Sequence, residues 1–114
     1  MANVYSTKFL SLPGFSGGPS TPYVVPDGYL AVVKCVSIVW GDVIASGIDA
    51  WVQTGDLAKI SRYTWAFGAS TPTNYGGVQV TWGMWPVEAG DTLAGQTASG
   101  TCDIVASGYL LELP

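Results

Sequence analysis

The chain has 114 residues, enough for one domain, and carries 4 Lys+Arg against 8 Asp+Glu with no His. Lacking His, it excludes Ser-His-Asp and Cys-His nucleophiles and most catalytic zinc sites; its scattered Lys8, Lys34, Lys59 and Arg62 form no phosphate-tracking patch, which argues against nucleic-acid binding. Charged residues make up only 11%, against about 25% in a typical domain, so part of the surface is expected to be covered by other protein, the alternative being a monomer whose surface is polar through Ser, Thr, Gly and Gln.

The start of the chain, from Met1 to Lys8, lacks a basic region followed by an apolar core, so no secretory signal is expected. No apolar run approaches the ~20 residues of a membrane span. Residues 1–28 are rich in Gly, Pro and Ser. Phe9 to Leu12 suits a short edge strand. Pro13 to Pro19 reads as a flexible arm or as a loop laid on a neighbour, because its prolines lack donors and its glycines are too free. The division expected is residues 1–25 as an N-terminal arm or edge segment and residues 26–114 as a β-sandwich domain. Pro26-Asp27-Gly28 is a turn, with Pro fixing one φ and Gly supplying the other.

Tyr29 to Trp40 has strong β propensity and is apolar on both parities except at Lys34 and Ser37, as expected for a central strand. Gly41-Asp42 breaks it. Ile48 to Gln53 is a second strand. Thr54-Gly55-Asp56 suggests a tight hairpin, with Leu57 to Trp65 returning antiparallel; a short helix at Asp56 to Tyr63 is the alternative. Phe67 to Gly77 reads as a loop. From Val78 to Met84 the residues alternate, with Val78, Val80, Trp82 and Met84 apolar, the mark of a half-buried strand. A turn at Pro86 to Asp91, a run at Thr92 to Ala94, a turn at Gln96 to Gly100 and a run from Thr101 to Ala106 follow. With seven or eight short strands and no amphipathic helix, the pattern predicts an all-β single domain, an antiparallel β-sandwich of jelly-roll type. Val78, Val80, Trp82, Ile104, Val36 and Ile38 are its expected core.

Glu88 and Asp91 share one turn and could be imagined as a glycosidase pair, but beside Gly90 they suit backbone capping. Asp42 and Asp49 are too few for a calcium site. No catalytic, metal or cofactor site is expected. Cys35 and Cys102 fall on opposite faces by the period-two count and are expected to be free thiols.

The aromatics carry the functional options. On the same count Trp82 is inward, while Trp85 and Trp51 are outward. An outward Trp can stack on a sugar ring, anchor a protein interface, or lie under its own loops. Trp51 and Trp85, with Phe15 and Tyr23 on the N-terminal segment, are the interface candidates.

Two segments, Trp82-Gly83-Met84-Trp85-Pro86-Val87-Glu88-Ala89-Gly90-Asp91-Thr92-Leu93 and Cys102-Asp103-Ile104-Val105-Ala106-Ser107-Gly108-Tyr109-Leu110-Leu111, taken with the Pro26-Asp27-Gly28-Tyr29 turn into a Val-rich strand bearing Lys34, resemble small β-sandwich virion proteins of tailed bacteriophages, those of actinobacterial phages in particular. The likeness covers about half of the chain and is weak before Pro26. The family form is more polar after the basic residue, where this chain has Cys35 and Ser37. The resemblance implies a non-enzymatic virion structural protein, a capsid decoration (cement) protein or a minor tail component. It also implies a homo-oligomer, with a trimer as the expected number, and major capsid or tail proteins as partners. The alternative is a carbohydrate-binding module using its exposed Trp residues for glycan or host-surface adhesion.

Overall fold

The computed structural model describes residues 4–40, 48–55, 64–69 and 77–114. They form eight strands: β1 (Val4–Phe15), β2 (Tyr23–Val24), β3 (Tyr29–Trp40), β4 (Ile48–Thr54), β5 (Thr64–Ala69), β6 (Gly77–Val87), β7 (Thr92–Ser99) and β8 (Cys102–Glu112). Among these residues there is no helix. The strands make two four-stranded antiparallel sheets, in the order β1-β8-β3-β6 and β2-β7-β4-β5. Each connection crosses from one sheet to the other except that between β4 and β5. This is an eight-stranded jelly roll, the β-sandwich expected from the strand pattern.

The core lies between the sheets. Val33, Val36 and Ile38 of β3 and Ile104 and Ala106 of β8 face Ala50 and Val52 of β4, Trp65 of β5 and Leu93 of β7. The expected burial of Val36, Ile38 and Ile104 is met. The apolar character of both parities of β3 has a structural cause. Val33 pairs with Gly108 but Cys35 pairs with Ser107, so Lys34 is an extra residue and the inward parity switches there. Ala31 and Val33 point in before the bulge, Val36 and Ile38 after it. Gly108 is required opposite, because a Cβ there would run into the carbonyl oxygen of Val32.

The end of the sandwich that carries the β2–β3 and β6–β7 turns is stitched by backbone. Tyr29 N–H donates to Pro26 O (3.3 Å) and Asp91 N–H to Glu88 O (3.1 Å). Gly28 and Gly90 take φ of 83° at the third turn position, which makes both type II turns. Val25 ties them together, accepting from Gly90 N–H and donating to Asp91 O, 2.9 Å each.

Several sequence expectations need correction. Of the two readings of the N-terminal segment, residues 4–25 take that of an edge segment and not that of an arm. β1 is a twelve-residue edge strand on β8, with Phe9 and Leu10 buried and Val25 fully enclosed. Pro13 and Gly14 are tolerated inside β1 because they sit at a sheet edge, within the register shift between Leu12 and Phe15. Residues 16–22 lie on the chain's own β7: Ser20 N–H donates to Gly95 O, Gly95 N–H to Ser20 Oγ, and Thr97 N–H to Gly17 O. The return strand pairs from Gln53↔Thr64 and continues through Phe67 to Ala69, so Thr54-Gly55-Asp56 is no tight hairpin and residues 67–69 are strand, not loop. The possible helix at 56–63, the break at Gly41-Asp42 and the loop at 70–76 fall outside the described residues. β7 runs through Gln96 to Ser99, and its turn is confined to Gly100 and Thr101.

Candidate interface on the outer face of the first sheet

The largest departure from expectation is in β6. Its apolar parity does not enter the core. Trp82 is 73% exposed, Met84 62% and Val78 61%, and Val80 is exposed as well. The inward parity is Thr81, Gly83, Trp85 and Val87. Val87 is buried and Trp85 packs against the core. Period two identifies two faces without saying which is inside; packing volume decides. The Trp85 indole fills the space over Gly83, where a Cβ would stand only 2.5 Å from the ring. The ring meets Trp65 of the opposite sheet at 5.3 Å between centroids. A glycine with an indole laid over it marks the crowded side.

Register fixes what surrounds the outward residues. Lys8 pairs with Ser107, Ser107 with Cys35, and Cys35 with Trp82, one straight row across all four strands. The next row toward the turns is Ser6, Tyr109, Val32 and Pro86; on the other side runs Ser11, Val105, Ser37 and Val80. Val39 and Val78 are paired beyond that, both exposed. Val32, although outward, is buried within its row. A shallow groove of about 480 Å³ crosses the face between Lys8, Lys34, Trp82 and Tyr109. Its lining includes no carboxylate. Neither lysine is ion-paired to a described residue. Burial in this face pushes the Cys35 thiol above its ordinary pKa.

The sequence-predicted interface residues do not come together here. Trp85 is turned inward, contrary to its expected outward phase. Phe15 and Tyr23 pack against the core, Tyr23 edge-on to Phe9 at 5.1 Å. Trp51 does lie opposite the buried Ala50 and Val52, on the other sheet, half-buried with its Nε1–H donating to Gln53 Oε1 at 2.9 Å. The residues that sequence reasoning missed as surface are Trp82, Met84, Val78, Val80, Val39 and Lys8. One signal for them was present: the other parity of β6 carries the glycines Gly77 and Gly83, each lying under an indole ring.

Among the described residues no three His, Cys, Asp or Glu side chains are placed to hold a metal ion, and no helix is long and apolar enough to cross a membrane.

No family model matches the chain, and no curated protein matches it. A solved chain similar to it is in the structure of infectious bursal disease virus Gx strain, with a TM-score of 0.48 and 10% identity over 98% of this chain. The present chain spans 32% of that chain's length.

Proposed function

We propose that the protein is a non-enzymatic structural component of a bacteriophage virion, a capsid decoration or cement protein, or else a minor tail component. It would attach through the outer face of the β1-β8-β3-β6 sheet. The observation that carries this reading is the exposed stripe Val78-Val80-Trp82-Met84, an apolar face of regular strand geometry left uncovered. Contiguous apolar surface of this kind marks a contact with another macromolecule. The low charge of the chain and the resemblance of the Trp82–Leu93 and Cys102–Leu111 segments to phage virion proteins support the same reading. Such a protein would stabilise the particle by removing apolar area from water on both sides of the contact.

The test is occupancy on purified particles. Particles lacking the protein are incubated with wild type and with Trp82→Asp or Met84→Asp. Wild type should bind at a fixed stoichiometry, and both variants should lose occupancy while keeping a β-rich circular dichroism spectrum. Unchanged occupancy of both variants would remove the face from the attachment site.

Carbohydrate binding is the second reading, and one observation favours it: the Trp82 ring stands exposed beside Tyr109 and two lysines in an open groove. Glycan-array binding that disappears in Trp82→Ala would support it over the cement role.

A further inference from the structure

The outer face of the first sheet is not uniform. Toward β6 it is apolar, with Val39, Val78, Val80 and Met84 exposed. Toward β1 it turns polar. The groove there holds Lys8, Lys34, Ser6, Ser107 and Tyr109, with Trp82 at its border on β6. Lys and Ser are residue types that the buried centre of a protein–protein contact avoids. Through their side chains the two lysines and the three hydroxyls make no hydrogen bond or ion pair with any described residue. Register places the lysines on either side of β8. Lys8 pairs with Ser107 from β1, and Lys34 is the bulge residue of β3, between the pairs Val33↔Gly108 and Cys35↔Ser107. Their backbones are two strand spacings apart, about 10 Å. At that level β8 has only Ser107 and Gly108 between them, so two ammonium groups border one clear space. The Trp82 ring stands two strands on from β8, across the small Cys35.

We infer that this groove binds an anionic saccharide, its acidic substituent over β8 between Lys8 and Lys34 and the sugar ring across Cys35 against Trp82. The inference rests on the carbohydrate reading of this groove and adds the charge of the ligand. The chain as a whole carries a net charge of -4, so an anion is not drawn from a distance; it gains only on contact with the two unpaired lysines. The position in the sheet separates a saccharide from an acidic peptide. β8 and β3 are inner strands, paired on both sides, so a peptide laid over them gains none of the main-chain hydrogen bonds of strand addition. A saccharide needs none of these, because an aromatic platform, hydroxyls and charge recognise it, and this groove carries all three. Its volume of about 480 Å³ lies within the ~300–1,000 Å³ of small-molecule sites.

The experiment is calorimetric titration of the full chain with matched acidic and neutral sugars: trigalacturonate against its methyl ester, and sialyllactose against lactose. Glycerol teichoic acid supplies the same charge as phosphate. Cys35 gives a second readout, since it lines the groove while the buried Cys102 is the internal control for alkylation. An acidic ligand should bind about tenfold more tightly than its neutral counterpart, slow the alkylation of Cys35 but not of Cys102, and bind more weakly as salt is added. Lys8→Gln and Lys34→Gln should each remove most of that preference, Lys8→Arg should keep it, and Trp82→Ala should lose acidic and neutral sugars alike. Binding of trigalacturonate or sialyllactose assigns the anion as a sugar carboxylate, and binding of teichoic acid alone assigns it as a phosphate; either supports the inference. Equal affinity for acidic and neutral sugars, or a preference unchanged in both lysine variants, overturns it and leaves the carbohydrate reading standing. Binding of none of the five overturns both and leaves the proposed attachment to particles untouched. A polyglutamate peptide that binds and shields Cys35 as well as the best sugar also overturns the inference, because the groove then reads charge alone.

Discussion

The indole rings of Trp65 and Trp85 meet edge to face across the two sheets, 5.3 Å apart and 84° from parallel. Trp65 is 5% exposed and Trp85 packs against the same core cluster, so the pair joins edge strand β5 to edge strand β6 at the open side of the sandwich. Trp85→Ala is expected to cost about 2–4 kcal/mol, below the full range for a core Trp because the ring is only partly buried. A double-mutant cycle with Trp65→Ala should return a coupling of about 0.5–1.5 kcal/mol. Urea denaturation of the four proteins measures both quantities. A cost under 1 kcal/mol for Trp85→Ala would place that ring in solvent.

Trp82 makes the opposite prediction, although it is three residues away in the same strand. Its ring is exposed, so Trp82→Ala should change stability by less than about 1 kcal/mol, while abolishing particle attachment. Denaturation and binding of the same preparation separate the two effects. A loss of about 3–5 kcal/mol would instead mean that the ring is core.

Much of the fold was legible in the residues. Strand positions in β3 and β4, the first half of β8 as far as Ala106, the turn at Pro26-Asp27-Gly28 and the sandwich class all follow from alternation and turn chemistry. Two things did not. Beyond the short edge strand at Phe9 to Leu12, the N-terminal segment shows no pattern because Pro13, Gly14, Gly17 and Gly18 interrupt it, and its order comes from long-range partners: β8 for Val4–Phe15, and Gly95 and Thr97 of β7 for the loop that follows. The inward face of β6 is not legible because its more regularly apolar parity is the outward one. A surface built to be covered by protein carries the same alternation as a core, so hydropathy along one strand cannot separate them. The glycines on the other parity could have. Gly77 sits under the Trp40 ring and Gly83 under Trp85, a small-large pairing typical of a packed interior.

Truncation tests the placement of the N-terminal strand. Deleting residues 1–15 removes β1, strips Phe9 and Leu10 from the core and bares the edge of β8. Two large buried side chains at about 2–5 kcal/mol each exceed what a marginally stable domain tolerates. The truncated protein should be unfolded or aggregated by circular dichroism and light scattering. A folded, monodisperse product would restore the picture of a detachable arm.

Gly108 is the backbone position least able to change. It lies opposite the Lys34 bulge, and a Cβ there collides with the Val32 carbonyl, a rigid part of the neighbouring strand rather than a side chain that could rotate away. Gly108→Ala should cost more than about 3 kcal/mol, since relief requires moving β3 against β8. Gly90→Ala, strained by its φ of 83° but with nothing within 4 Å of the added carbon, should cost about 1–2 kcal/mol. If melting temperatures rank the two variants the other way, the bulge register is wrong.

The cysteines give a prediction with a pH sign. Both are free thiols, on opposite faces of the first sheet. Cys102 pairs with Trp40, five residues along β3 from Cys35, a separation of roughly 15 Å that no disulfide spans. Cys102 is 3% exposed and stands between the sheets, whereas Cys35 opens onto the outer groove. Burial raises the Cys102 thiol, and the Asp103 carboxylate adds to the shift. Native alkylation should therefore label Cys35 first and reach Cys102 only on unfolding. Because folding favours the protonated form of Cys102, its stabilising contribution is complete below the unfolded thiol value of about 8.5 and is lost as pH rises through the higher folded value. Tyr23, raised by burial too, shifts stability in the same sense at higher pH, so the comparison must be differential. Wild type should lose stability more steeply than Cys102→Ala between about pH 8.5 and 10. Equal slopes, or equal labelling of the two thiols in the native protein, would show that Cys102 is in contact with water.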